Sequence, residues 1–300
     1  MYLFDESKLI EIFCDADDFC QAFEQWECRQ SPTQKAHRAV GAKAQLKRSE
    51  IIAITVFFQL SGFKNFEYYY QRLVLPCWES YFPKLVSYNR FVELIGENWM
   101  VLFLFANWRS AQGRRSGAYY IDSKKLPVCH NRRIHQNRVF EGIARRGKSS
   151  TGWFFGLKIH LVINHLGEII RFLLTPGNVA DNNQKVLKYL LDDLQGRCFG
   201  DAGYLTKCFE HFFKQGLKLV CKVRSNMKNC LMDLQDKLLL KKRGIIESVN
   251  DILMTVHEIE HTRHRSPRNA FAHIFASLVA YSYCKCKPSA EAKYVRLIPA

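Results

Sequence analysis

Apolar residues keep a helical rhythm through the first third of this 300-residue chain and lose it near residue 112. "SEIIAITVFFQLSGF" opens on Ser49 and Glu50, both helix-start residues, and runs strongly apolar until Gly62 ends it. "NFEYYYQRLVL" and "SYNRFVELIGENWMVLFLFANW" have helical length, with Pro76 and Pro83 as breaks. Within "FPKLVSYNRFVELI" the pattern predicts a helix, a short turn and a second helix bearing Asn89 and Arg90. That outline matches a helix-turn-helix entering a major groove, and equally a packing or dimer-forming pair. Residues 1–112 are expected to form an all-helical N-terminal domain, for DNA-end binding, dimerisation or both.

"RSAQGRRSGA", residues 109–118, is polar and basic with two glycines, as a linker is. Beyond it the period changes. "AYYID" predicts a short strand, and "WFFGLKIHLVIN" and "EIIRFLLT" predict two strands of a hairpin joined at "HLG". "NNQKVLKYLLDDLQ" is an amphipathic helix, "RCFGDAGY" a short strand entering a glycine turn, and "LTKCFEHFFKQG" a helix. "LKLVCKVR" reads as a buried strand and "DKLLLKKRGIIESVNDILMTVHEIEH" as one long helix. A hairpin followed by alternating strands and helices implies an α/β fold, a mixed sheet with flanking helices, over residues 113–285. Residues 286–300 are left as a C-terminal tail.

Charge divides the chain at the same place. Residues 1–117 hold 14 Lys+Arg against 13 Asp+Glu, whereas the remainder holds 30 against 15. The second part is thus expected to face a polyanion, and nucleic acid leads because bound cations release condensed counterions. No lipidation signal or basic amphipathic helix speaks for a membrane, and the apolar stretch "WMVLFLFANW" is too short to span one. The N-terminus lacks the basic region of a signal peptide. The 11 cysteines are scattered without a C-x-x-C pair, and most lie in apolar runs as buried thiols of a reducing compartment do. A cytoplasmic protein is expected.

Three carboxylates stand out. Asp122 and Asp201 each close a predicted strand, where ligands gather in such sheets, and Glu247 lies on the last helix. Gly200 and Gly203 flank Asp201 and would let the backbone turn sharply. Carboxylates held on rigid elements suit Mg²⁺ or Mn²⁺, which take hard oxygen ligands. Taken alone, each Asp is more simply explained by turn and cap chemistry. The helix period places Glu247, Asn250, Asp251 and Met254 opposite the apolar stripe, so a solvated face is the simpler account of them, with Asp251 as a substitute third ligand. Asp181 reads as a helix cap.

"YYIDS", "FGDAGY" and "RGIIES", in this order and on these elements, resemble the bacterial insertion-sequence transposases of the DDE type. "VCHNRRI", "RRGKSSTGWFFGLKIHLVIN", "LTPGNVADN" and "EHTRHRSP" extend the resemblance over about residues 45–285. It implies a ribonuclease-H-like catalytic domain and a triad Asp122, Asp201 and Glu247 that binds two divalent ions, Mg²⁺ or Mn²⁺. It also implies cleavage and strand transfer of DNA by a homo-oligomer, at least a dimer, on double-stranded element ends and target, in a bacterial nucleoid. Arg243 fills the arginine place four before the glutamate, while Leu240 and Met254 stand where related transposases carry tyrosine and lysine.

Beside the first aspartate lie Lys124, Lys125, Arg132, Arg133, Arg138, Arg145, Arg146 and Lys148, with only Glu141 opposing them before Thr151. Arginine grips phosphate through paired hydrogen bonds and lysine as a point charge, so this segment is expected to hold DNA. Arg263, Arg265 and Arg268 form a second candidate backbone clamp, and Arg243 joins the DNA-contacting set. A nuclease of the same fold that releases cut DNA, and a decayed DNA-binding copy, are the alternatives.

Overall fold

The computed structural model describes residues 5–30, 46–149, 152–204, 208–222, 232–260 and 264–290. The chain forms two compact units.

The helical unit begins with α1 (Glu6–Gln30) and α2 (Arg48–Leu60). Ser49 Oγ donates to Asp17 at 2.8 Å and Arg48 pairs with Glu27 at 2.7 Å, tying the two together. The short α3 (Phe66–Tyr69) passes through a π-helical turn, Tyr70–Val74, into α4 (Leu75–Cys77). Next come α5 (Tyr88–Glu97) and α6 (Trp99–Ala111). The expected helix before α5 is absent: residues 78–87 are non-helical. Trp78 and Phe82 are buried there as anchors, the Tyr70 hydroxyl donates to the Val86 carbonyl at 2.7 Å, and Pro83 has no N–H for a helix ladder. Arg90 is engaged by Glu93 and Glu97 of its own helix, at 2.8 and 3.2 Å. The helix-turn-helix outline is therefore not realised. Residues 264–281 pack in this same unit, although the sequence pattern grouped them with the sheet. The aromatic pairs Trp99–Phe271 and Phe103–Phe275, 5.4 and 5.0 Å between centroids, are part of that packing.

The second unit is built on a six-stranded mixed sheet. Its strands are β1 (Ala118–Cys129), β2 (Arg145–Ser149), β3 (Gly152–Asn164), β4 (Ile169–Pro176), β5 (Gly196–Gly200) and β6 (Leu217–Cys221). β3 pairs antiparallel with β1 along one edge, and with β2 and β4 end to end along the other. β1, β5 and β6 run parallel. Such neighbours need crossover connections, supplied by α7 (Gln184–Leu191) and α8 (Phe209–Lys214). Tyr119 and Ile121 join α7 and α8 in one apolar core, while Tyr120 faces the other way. At Gly156, where β3 passes a bulge of β1, a Cβ would lie 2.1 Å from the Leu126 carbonyl oxygen, so only glycine fits.

Three sequence expectations change here. β1 does not stop at Asp122 but continues to Cys129, because β3 goes on pairing with it after β5 has ended. The predicted long helix is two, α9 (Leu234–Lys241) and α10 (Gly244–Thr255), broken by a turn at Lys242–Arg243. The basic segment after Asp122, for which no strand was expected, contains β2. α11 (Pro267–Ser282) follows. Cys20, Cys198, Cys208 and Cys221 are buried as expected, but Cys14, Cys28, Cys77 and Cys286 are exposed. Among the described residues no helix is long and apolar enough to cross a membrane.

Candidate functional site

The parallel ladder between β1 and β5 ends at the pair Tyr120–Phe199. Two residues further along each chain stand Asp122 and Asp201, the latter just beyond β5 in a turn tightened by the Tyr204 N–H to Asp201 carbonyl bond, 3.0 Å. Side chains alternate faces along a strand, so Asp122 shares the face of Tyr120. The rings of Tyr120 and Phe199 touch on that face, 5.5 Å between centroids. Each aspartate thus follows the last pair of the shared ladder by two residues. Gly203 needs no glycine-specific freedom: a Cβ there would meet nothing within 4 Å.

α10 packs along this face of β1. Glu247 lies in its first turn, and Asn250, one turn on, shares its face. Asn250 is 3% exposed and its Nδ2 donates to Asp122 Oδ2 at 2.9 Å. The expectation that this polar face is solvated holds for Glu247 and Asp251 but fails for Asn250. Asp251 is exposed, 3.8 Å from Lys124 Nζ. Arg243, in the turn before α10, forms a close ion pair with Glu247.

Burial pushes the Asp122 carboxyl up to about 6. The Ser123 N–H and the Arg243 guanidinium pull it down, while the negative charges of Asp181 and Glu247 push it up. Asp122 therefore shares one electrostatic environment with Glu247, and Arg243 acts on both.

The opposite face of β1 carries a second polar group. Ser123 Oγ donates to Asp181 Oδ1 at 2.7 Å, and Lys158 Nζ donates to the same oxygen at 2.9 Å and to the Val179 carbonyl at 3.0 Å. Beside them His160 is fully buried against Thr175, Nε2 to Oγ1 3.0 Å, and burial holds its imidazole down at about 4. Asp181 is not the cap of α7; Asn183 is, accepting from the N–H groups of Lys185 and Val186. The loop before α7 frees Asp181 for Ser123 and Lys158 instead. Burial holds the Tyr204 hydroxyl well above its ordinary range, and the negative charges of Asp122 and Asp181 push it further the same way.

Asn250, Asp181 and Lys158 are the residues that sequence reasoning missed as parts of the site. An Asn three residues after Glu247 was the available signal, but the helical period alone cannot say which polar face is covered.

Asp122, Asp201 and Glu247 offer only oxygen donors. A desolvated carboxylate among like charges is the chemical setting that a divalent cation relieves. The donor chemistry therefore fits a magnesium-like ion. Among the described residues, no three His, Cys, Asp or Glu side chains are gathered as a metal-holding group. Glu247 is engaged by Arg243 in this arrangement.

Arg132 and Arg133 lie exposed on a 3-10 turn, Asn131–Gln136, after β1, and Arg138 is exposed beyond it. Arg145, Arg146 and Lys148 are exposed on β2. Lys124 and Lys125 border Glu260, whose carboxyl burial raises and these lysines lower. Arg265 and Arg268 are exposed in the helical unit, and Arg263 falls outside the described residues.

Residues 112–267, just over half of the chain, match the family described as Transposase DDE domain, and the chain belongs to that family. Neither a curated protein nor a solved structure matches it.

Proposed function

From membership of the DDE transposase family we propose that this protein is the transposase of a short bacterial insertion sequence, with a ribonuclease-H-like catalytic sheet. It would cut phosphodiester bonds at the element's ends and join the freed 3′ hydroxyls to target DNA. The observation that supports this reading is the meeting of β1 and α10: Asp122, held by Asn250, shares its charge environment with Glu247, and Asp122 and Asp201 each follow the β1–β5 ladder by two residues. All three acids fall inside the matched segment.

In this reading Asp122, Asp201 and Glu247 would hold two divalent ions, Mg²⁺ or Mn²⁺. Such ions supply Lewis-acid activation of the attacking oxygen and charge stabilisation at the leaving one. Asn250 fixes the rotamer of Asp122, and Arg243 balances the charge of Glu247 until phosphate approaches. Lys124, Lys125, Arg132, Arg133, Arg138, Arg145, Arg146 and Lys148 neutralise the backbone of the bound duplex, with Arg243 at the site. Arg263, Arg265 and Arg268 are proposed as further contacts. Two DNA ends brought together imply at least a dimer, working at the nucleoid.

The test is incubation of the purified protein with DNA carrying the element's ends and a target plasmid, in Mg²⁺ or Mn²⁺. Joined products are expected, and Asp122→Asn, Asp201→Asn and Glu247→Gln each abolish them. Cut but unjoined ends would make the protein a nuclease. Chemistry surviving Asp201→Asn would defeat the triad.

A further inference from the structure

β2 and the start of β3 form an antiparallel pair whose two faces differ. Gly147 and Phe154 turn inward and are buried, whereas Arg146, Lys148 and Trp153 turn outward. Lys148 is directly opposite Trp153 in the register, and Arg146 is opposite Phe155. Trp153 is 53% exposed. The Arg146 guanidinium carbon lies 5.0 Å from its ring centroid and Lys148 Nζ 5.8 Å. Asn131 Nδ2 donates to the Trp153 carbonyl at 2.7 Å, which ties this pair to the arginine-bearing turn after β1. The half-exposed indole presents an aromatic surface to solvent, flanked by cations. Its flat face suits a planar heterocycle, and the cations around it suit an anion.

We propose that Trp153 is a stacking platform for an unpaired nucleobase, with Arg146 and Lys148 neutralising the phosphates on either side of it. A nucleotide strand is the ligand that supplies both a π-face and regularly spaced negative charge. Base pairs within a duplex stack on one another and present edges and phosphates, so a ring face is used only where the strand is single or frayed. Trp153 precedes Leu161, the partner of Asp122, by eight residues of β3. At strand rise that places the platform roughly 25 Å along the strand from the carboxylates. It is therefore a strand-holding subsite, separate from the reacting bond. The proposal rests on the reading that this protein acts on DNA.

The experiment measures fluorescence-anisotropy binding of labelled oligothymidine and of a duplex of the same length by the full chain, for wild type, Trp153→Leu and Trp153→Phe. Each variant is first matched to wild type by circular dichroism and melting. Trp153→Leu keeps the apolar bulk and removes the ring; it is expected to weaken single-strand binding about tenfold and duplex binding far less. Trp153→Phe recovers most of the loss. A 2-aminopurine placed in the single strand should be quenched by wild type and not by Trp153→Leu. Equal losses on both DNAs, or none on the single strand, overturn the platform while leaving the transposase reading standing. Absence of binding to either DNA by wild type overturns the transposase reading itself, and the platform with it.

Discussion

Asn250 and Asp122, 128 residues apart in sequence, meet through a 2.9 Å hydrogen bond from amide to carboxylate. Asn250 is buried and Asp122 half-buried, so the bond restricts the carboxylate to one orientation. Removing such an orienting partner typically costs about 10–100-fold in activity or metal affinity. Asn250→Ala is expected to lower end-cleavage by that factor with the fold retained, checked by initial rates on end-containing DNA beside circular dichroism. Asn250→Asp should be worse, because it sets a further negative charge against Asp122, beside those of Asp181 and Glu247.

Asp122 also sets a pH dependence of stability. Its folded carboxyl titrates at about 6 against an ordinary 3.8, chiefly through burial. Between those values the folded chain keeps a proton that the unfolded chain has released, so stability falls as pH rises and the penalty is complete above about 6. The penalty is at most roughly 3 kcal/mol, less what solvent screens. Asp122→Asn keeps an acceptor for Asn250 and removes the charge. In metal-free urea titrations the variant should be the more stable protein at pH 7.5, with the difference gone by pH 4. A variant no more stable than wild type at pH 7.5 contradicts the argument.

The pair Lys158 and Asp181 is asymmetric, with the lysine side chain 10% exposed and the aspartate 34%. Taking away the aspartate leaves a nearly buried ammonium with, among the described residues, the Val179 carbonyl alone as its hydrogen-bond partner. Asp181→Ala should therefore cost about 2 kcal/mol, below the range for breaking a fully buried pair because Asp181 is partly solvated. Replacing both, Asp181→Ala with Lys158→Met, should return most of it. Thermal melts of the four proteins of this cycle give the coupling directly.

Two glycines test the backbone account. A Cβ at Gly156 would meet the Leu126 oxygen at 2.1 Å and Pro127 Cα at 2.8 Å, and backbone atoms of a paired strand cannot yield. Gly156→Ala should part β1 from β3 and give insoluble or unfolded protein. At Gly203, with nothing within 4 Å, Gly203→Ala should melt within about 1 °C of wild type, in line with surface changes of under ~0.5 kcal/mol. Differential scanning fluorimetry of the soluble fractions separates the two outcomes.

The sequence by itself carried the alternation of strands and helices, the division of charge and the three acids within their motifs. Each is a local property: period, composition or a short run of residues read in place. β1 shows where that ends, because its length was set by β3, whose pairing continues past Asp122 to Cys129. The break between α9 and α10 was equally hidden, since both halves have helical composition and only packing rewards a change of direction at Lys242–Arg243. Asn250, Asp181 and Lys158 needed more still. Whether a polar side chain meets water or a carboxylate depends on which remote segment covers it. Covering is a matter of contacts between β1, β3 and α10, which no window of a single chain contains. The sequence thus determined which groups are available for chemistry, and the tertiary structure decided which of them hold one another in place.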